Sequence, residues 1–276
     1  MIKQLAKSVL PSSAIQAALS MRDAYRLAMQ PRLTFEPTSL RRSSDVDLAA
    51  ILQPDSVLGS WDVDHHEIAT AFGEDDRFGG VNPGDRRALY YLIRALRPAR
   101  VLEVGTHIGA STLHIARALR ANGSGSVTTV DITDVNGAGG AWKVVGQRMS
   151  PVEFARSLDC ADRIEFVVAN SLEYLATTRE RYDLIFLDGD HSARTVYREV
   201  AQSLHALAPN GLILLHDYYP DGAALYPDGG VILGPYRAFV RIGREEPRIA
   251  VRPLTPLPWE TKQGTKETTL ALVTAR

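Results

Sequence analysis

The sequence predicts an α/β fold, a doubly wound and mainly parallel sheet with helices on both faces, and three observations predict it. From residue 100 onward, short apolar runs alternate five times with helical stretches, the rhythm of strand–helix–strand units. Two of those runs, Leu-Ile-Phe-Leu at 184–187 and Leu-Ile-Leu-Leu at 212–215, are continuous rather than alternating, as strands covered on both faces are. Near the end of the chain, strands over 248–253 and 268–274 follow one another with no helix between them, which makes an antiparallel pair at one edge of the sheet.

The elements follow in order. Residues 13–29 space Ile15, Leu19 and Leu27 on or near one helical face. Pro31, Pro37 and Pro54 then punctuate a stretch that reads as loops and short helices. Residues 1–85 are therefore a helical and loop extension, and 86–276 the α/β domain. The extension is open to three roles: a lid, a contact in a homo-oligomer, or plain packing onto the domain. Only Trp61, His65 and His66 stand out in it chemically, and adjacent histidines on a strand point to opposite faces and share no metal. In the domain, 86–97 reads as a helix closed by Pro98. Strands are expected at 100–104, 127–130, 164–168, 184–187 and 212–215. Helices are expected at 110–121, 141–157, 171–179 and 193–207, with Pro209-Asn210-Gly211 as a tight turn and 235–244 as a last helix.

Bulk properties bound the function. The 276 residues carry 31 Lys plus Arg against 32 Asp plus Glu, a balance with no electrostatic case for nucleic acid or an anionic membrane. The cluster Arg94, Arg97 and Arg100 reads as a solvated helix face. Met1 to Leu10 lacks the apolar core and cleavage site of an export signal, and no apolar run approaches the ~20 residues of a membrane span. A single cysteine, Cys160, makes no internal disulfide and no zinc site, which suits a reducing cytoplasm.

Ligands of an open α/β sheet sit beyond the carboxyl ends of its strands, where strand order reverses. The first strand ends in Glu103-Val104-Gly105-Thr106-His107-Ile108-Gly109-Ala110-Ser111. Gly105 and Gly109 suit a tight turn and a close approach of ligand to backbone, and the helix that follows offers free N–H groups to a carboxylate. The next strand ends in Asp131, a carboxylate placed to accept from both hydroxyls of a ribose. A dinucleotide fingerprint needs Gly-x-Gly-x-x-Gly. Here His107 fills the middle position and the pattern is Glu-x-Gly-x-x-x-Gly, which suits a ligand with one adenosine and no phosphates. Glu103, Gly105, Thr106, Gly109, Ser111 and Asp131 are thus the cofactor candidates. Asn170 and Ser171, after the third strand, join them beside the adenine or serve as helix caps.

The fourth and fifth strands end in Leu187-Asp188-Gly189-Asp190-His191-Ser192 and Leu215-His216-Asp217-Tyr218-Tyr219. Neighbouring strands would bring Asp188, Asp190, His191, His216 and Asp217 around one cavity. Acids at adjacent strand ends make a site for a hard divalent cation such as Mg²⁺, able to acidify a substrate hydroxyl and fix its oxygen. Asp188, His216 and Asp217 are the candidate ligands, Asp188 also facing the cofactor. His191 is a candidate general base, with Asp190 competing. Tyr218 and Tyr219 are expected to line the pocket, and 218–234 to form part of an acceptor wall.

Taken together, the Glu103–Ser111 loop, Asp131, Leu187-Asp188-Gly189-Asp190-His191-Ser192, Leu215-His216-Asp217 and the late Pro256-Leu257-Pro258-Trp259-Glu260-Thr261-Lys262 resemble the class I methyltransferases. Within these, the chain resembles a small-molecule O-methyltransferase family that includes the macrocin O-methyltransferase type. The resemblance covers about residues 79–276. It implies a Rossmann-like, seven-stranded, mainly parallel sheet with an antiparallel last strand, and S-adenosylmethionine held by the first loop and Asp131. It also implies a small hydroxylated acceptor. In metal-dependent members a divalent ion sits on the acid matching Asp188 and on an acid pair matching 216 and 217. His216 departs from that pattern and favours an ion softer than Mg²⁺. A histidine three residues after the first metal acid serves as base in some members, matching His191. Two rivals share the sheet. An NAD-linked oxidoreductase is disfavoured by His107 and the glycine spacing, and a non-catalytic assembly member by the intact acid and imidazole set.

Overall fold

The computed structural model describes residues 12–53, 55–73 and 80–276. Met1 to Leu10, read above as lacking an export signal, Pro54, read as a break, residue 79 at the start of the resemblance and the side chain of Ile15 lie outside what it describes. A seven-stranded sheet runs in the order β3-β2-β1-β4-β5-β7-β6. Its strands are β1 (Arg100–Val104), β2 (Ser126–Asp131), β3 (Ile164–Val168), β4 (Tyr182–Leu187), β5 (Leu207–Leu215), β6 (Ile249–Pro253) and β7 (Ala271–Ala275). The first five are parallel, and β7 runs antiparallel to both β5 and β6. The expected antiparallel pair is present, with β7 inside and β6 at the edge. The order reverses between β1 and β4, so the crevice opens beyond Val104 and Leu187.

Each strand feeds two cores, because successive side chains point to opposite faces. Val101, Val127, Leu184, Phe186, Leu212 and Leu214 pack on one face. Leu102, Val130, Ile185, Leu187, Ile213 and Leu215 pack on the other. The first face is covered by α4 (Pro83–Leu96) and α5 (Ala110–Ala121), the second by α8 (Ser171–Thr177), α9 (Ala193–Ala206) and α10 (Gly234–Glu245).

The extension contains more helix than its sequence suggested. After α1 (Ser12–Ala28) and the short α2 (Leu48–Leu52) comes α3 (Asp55–Phe72), an 18-residue helix where loops and short helices were expected. Val57, Trp61, Ile68 and Phe72 carry a helical spacing that is diluted by the run Asp62 to Glu67. Val57, Trp61 and Ile68 are buried, and Phe72 stacks on Phe154. Buried Asp64 ties α3 to the domain by accepting from the Tyr90 hydroxyl at 2.6 Å and Arg117 Nε at 2.8 Å. Farther along, Arg41 N donates to Gly211 O at 2.9 Å, so the extension also laces onto β5. In α1, Leu27 is buried as expected, but Leu19 is 43% exposed.

Two other expectations change. The helix expected over 141–157 is two, α6 (Ala141–Val144) and α7 (Pro151–Ser157). Gly146 turns left-handed at φ 77°, and extended Ser150 restarts the helix at Pro151 through a capping box with Glu153. Pro209-Asn210-Gly211 is no free turn but lies within β5, where the register against β4 shifts. Arg97 and Arg100 are exposed, as the solvated-face reading expects; Arg97 also ends α4 at φ 49° and donates to Asn122 O at 2.7 Å. Among the described residues no helix is long and apolar enough to cross a membrane. Cys160 is buried, and burial pushes its thiol up to about 12.

Candidate active site

At the end of β1 the chain turns through Gly105 at φ 96° and Gly109 at φ 83°. Both glycines are needed for reasons other than ligand approach. A Cβ on Gly105 would lie 2.2 Å from Asp188 O, and one on Gly109 2.9 Å from Pro151 Cβ. His107, at φ 50°, also takes the left-handed region, a conformation that costs a residue with a Cβ. Asp131 holds this loop. Its Oδ2 accepts from Thr106 N at 3.1 Å and His107 N at 3.0 Å, and its Oδ1 from Thr133 N and Oγ1 at 2.9 and 2.8 Å.

Glu103 sits underneath, with no exposed surface. Its Oε2 accepts from Thr112 Oγ1 at 2.5 Å and Thr129 Oγ1 at 2.7 Å. Burial pushes its carboxyl up to about 7, against the hydroxyls that donate to it. Expected among the cofactor contacts, Glu103 instead braces the loop from behind, because its side chain points into the first core's polar seam rather than the crevice.

A cavity of about 630 Å³ opens over this loop. Gly105, Thr106, Ser111, Asp131, Asn170, Ser171, Asp188, Asp190, His191, His216 and Asp217 all border it, whereas Glu103 and Gly109 do not. Asn170 also caps α8, its Oδ1 accepting from Leu172 N at 3.0 Å, and the Ser171 hydroxyl donates to buried Glu199 at 2.6 Å. Asp190 is committed as well: Ser192 N at 2.9 Å and Thr195 Oγ1 at 2.8 Å tie its two oxygens to the start of α9.

The reaction end is a chain of alternating charges. His216 Nδ1 lies 2.9 Å from Asp188 Oδ1 and 3.5 Å from Asp217 Oδ1, and its Nε2 lies 3.2 Å from Asp85 Oδ2. Asp217 Oδ2 in turn is 3.4 Å from His191 Nε2. Asp217 stands at φ 55°, a left-handed turn that places its carboxylate between the two imidazoles. Burial presses the His216 ring toward neutrality, but Asp188 and Asp217 outweigh it and raise its pKa well above 6.5. Burial likewise raises Asp217, and the His216 ring overrides it, holding that carboxyl down at about 2.

Asp85 was not among the expected site residues. It is fully buried at the third position of α4, where its Oδ2 accepts from Asn82 Nδ2 at 2.7 Å. The signal was the helix start Asn82-Pro83-Gly84-Asp85, which reads as capping alone. Gly84 has a local reason: a Cβ there would lie 2.7 Å from Glu260 O, because the Pro256–Lys262 stretch packs on this turn, with Trp259 Nε1 donating to Gly84 O at 2.9 Å.

A second cavity of about 830 Å³ adjoins the first, and His216 and Asp217 border both. Phe72 and His66 from α3, Arg86, Tyr219, Tyr226 and Lys262 wall it. Of residues 218–234, Tyr219 and Tyr226 line this cavity. Tyr218 is turned away into the second core, edge-on to Phe239 at 6.0 Å. His65 and His66 border the same cavity from a helix, His65 stacked on Trp61 at 4.6 Å with its Nδ1 3.1 Å from His114 Nε2.

Comparison with known proteins agrees with this architecture. Residues 102–218 match the family model described as a methyltransferase domain. A relative from Mycobacterium sp. (strain JLS), provisionally named an O-methyltransferase, is 28% identical over 139 residues, 50% of this chain and 57% of its own. O-methyltransferase hkm8 of Aspergillus hancockii is 28% identical over 145 residues, 52% of each chain. The match thus spans little more than half the length of these relatives. Among solved structures, the O-methyltransferase TomG of Streptomyces achromogenes, in complex with SAM, superposes with a TM-score of 0.52 at 19% identity, over 85% of this chain and 96% of its own. An O-methyltransferase from Bacillus cereus in complex with SAH gives 0.51 at 20%, over 83% and 94%. These likenesses carry the fold: the chain shares with these structures a seven-stranded, mainly parallel sheet with one antiparallel strand, flanked by helices.

Proposed function

We propose that the protein is an S-adenosylmethionine-dependent O-methyltransferase that methylates a hydroxyl of a small molecule. One observation carries the reading: a cavity over the Gly105–Asp131 loop and a second, aromatic-walled cavity meet at His216 and Asp217, with His191 at the junction. Two reactants approaching from opposite sides of one charged junction is what group transfer requires. The donor supplies a cationic sulfonium whose methyl passes to an oxygen nucleophile. The protein's part is to hold the two in line, worth ~7–11 kcal/mol of the barrier when the geometry is right, and to take one proton.

His191 is assigned as that base. It borders the donor cavity and faces Asp217, which can hold one ring nitrogen as N–H while the other accepts the acceptor's proton. Asp190, whose oxygens accept from Ser192 N and Thr195 Oγ1 at the start of α9, is a positioning residue. Asp131, Thr106 and the adjacent N–H groups form the donor end, and Asn170 and Ser171 flank it. The motif set resembles that of the macrocin type, and the extension is assigned to the acceptor side of residues 86–276 because Phe72 and His66 of α3 wall the second cavity.

Asp188, His191 and Asp217 have ligand atoms within 4.8 Å of one another, so two carboxylates and an imidazole could hold a divalent ion, with water completing its shell; such an ion would acidify the acceptor hydroxyl and fix its oxygen.

Calorimetric titration with S-adenosylmethionine and S-adenosylhomocysteine tests the reading, followed by mass spectrometry of phenols and sugars incubated with the donor. Micromolar binding and a 14-dalton gain on an acceptor oxygen are expected. No binding of either molecule at millimolar concentration ends the proposal and returns the fold to a non-catalytic role.

A further inference from the structure

We propose that Tyr226 is a specificity-determining residue: its buried hydroxyl donates to a second oxygen of the acceptor, so the protein selects hydroxylated molecules that carry another oxygen besides the one methylated. The inference deepens the methyl-transfer reading above and rests on it.

The observation is an orphan donor. Tyr226 is 6% exposed and borders the second cavity, yet among the described residues its hydroxyl has no hydrogen-bond partner. Thr269, a hydroxyl on the same wall, is the least of the influences on it and falls short of a hydrogen bond. Buried polar groups are paired as a rule, and one that is not costs the fold its desolvation. Burial, with Asp85 adding to it, pushes the phenol's pKa above its ordinary 10, so the oxygen keeps the proton it would donate.

The position says what the partner is. Tyr226 borders the second cavity but not the one over the Gly105–Asp131 loop. Its partner therefore comes from the acceptor side and not from the donor. The methylated oxygen has to lie at the junction that both cavities share, beside His216 and Asp217. The group that reaches Tyr226 is then a different one, an oxygen offering a lone pair.

A clasp holds the ring. Lys262 Nζ sits 4.8 Å from the Tyr226 centroid. The same nitrogen lies 3.2 Å from Asp228 Oδ2, which also accepts from Gln263 Nε2 at 2.8 Å, and Asp228 N donates back to Gln263 Oε1 at 3.3 Å. Tyr219 stands edge-on to Tyr226, 6.5 Å between centroids, and Gly229 N donates to Tyr226 O at 3.0 Å. Packing thus fixes the phenol oxygen, and a fixed donor discriminates against analogues that give it nothing to bond.

The test uses the full chain with S-adenosylhomocysteine, as wild type and as Tyr226→Phe, which removes the hydroxyl and keeps the ring. Thermal unfolding without any acceptor comes first. An orphan hydroxyl gives the free protein nothing, so the variant should melt no lower than wild type. A lower melting temperature would mean that the fold itself uses the hydroxyl, and would overturn the proposal. Calorimetry then compares probes of one and two oxygens: phenol against catechol and resorcinol, and cyclohexanol against its 1,2- and 1,3-diols. Wild type should bind at least one diol ~10–100-fold more tightly than its one-oxygen counterpart, and Tyr226→Phe should bring the two within a few-fold. A panel in which no diol loses affinity in the variant would also overturn the proposal. A wild-type chain that refuses S-adenosylhomocysteine would instead sink the methyl-transfer reading, while the melting comparison and the diol titrations would still decide this one.

Discussion

Thr106 and Asp131, which meet at the donor end, lie 25 positions apart in the chain, whereas Asp85 and His216, which meet at the reaction end, lie 131 apart. The donor end is one strand–helix–strand unit, and its groups converge because two parallel neighbours finish side by side. The reaction end is assembled from the start of α4, the ends of β4 and β5, and the wall supplied by α3. Backbone N–H groups shape the first; ionised side chains held against one another shape the second. A locally built pocket is tolerant of change elsewhere, while a charge chain drawn from distant segments fails wherever it is cut.

The sharpest way to break this contrast is His191→Ala. Loss of the base should lower kcat by ~10²–10⁴-fold and leave S-adenosylhomocysteine affinity in calorimetry unchanged; an equal loss of affinity would merge the two ends into one. Gly105→Ala comes next, because Gly105 is where the ends touch. Its Cβ would strike Asp188 O, at a φ that L residues avoid. A stability loss of about 3 kcal/mol is expected in denaturant unfolding, with both affinity and turnover damaged. Asp131→Ala should weaken S-adenosylhomocysteine ~10–100-fold, about 1.4–2.8 kcal/mol, by releasing the Thr106 and His107 N–H groups.

Glu103→Gln sharpens the comparison through pH. In the fold this carboxyl is raised from 4.5 to about 7 by burial. The unfolded chain therefore loses this proton first, and stability should fall as pH rises from about 4.5 through 7. Glu103→Gln should flatten that stretch of the melting profile, by on the order of 2 kcal/mol, and keep the loop in place. The smallest effect is expected from Asp190→Ala. It removes the acceptor of Ser192 N and Thr195 Oγ1 at a cost of about 1 kcal/mol and should leave kcat within a few-fold of wild type. A collapse of kcat there would transfer the base from His191 to Asp190.

Legibility follows the same division. The strands, α5, α8 and α9, and the meeting of Gly105, Asp131, Asp188, His191 and Asp217 could be read in advance, since a parallel sheet delivers every strand end to one side. Glu103 and Tyr218 were misplaced for a common reason: alternation decides which core a side chain enters, and at the last residues of a strand the choice turns on a single position. The helix α3 was missed because its buried residues are interleaved with Asp62, Asp64, His65, His66 and Glu67, and Tyr90 and Arg117, which partner Asp64 and Glu67, belong to other helices. Asp85 escaped because a helix-start acid has the same local appearance whether it faces water or a buried histidine.

By itself the sequence determined the strand order's raw material, the glycine loop after the first strand and the acids at the strand ends, because apolar period and turn chemistry are local properties of a chain. Only the tertiary structure decided which carboxylates surround His216 and which helix walls the second cavity. Those outcomes depend on distances between segments far apart in sequence, and a side chain's charge and partner are set by what packs against it.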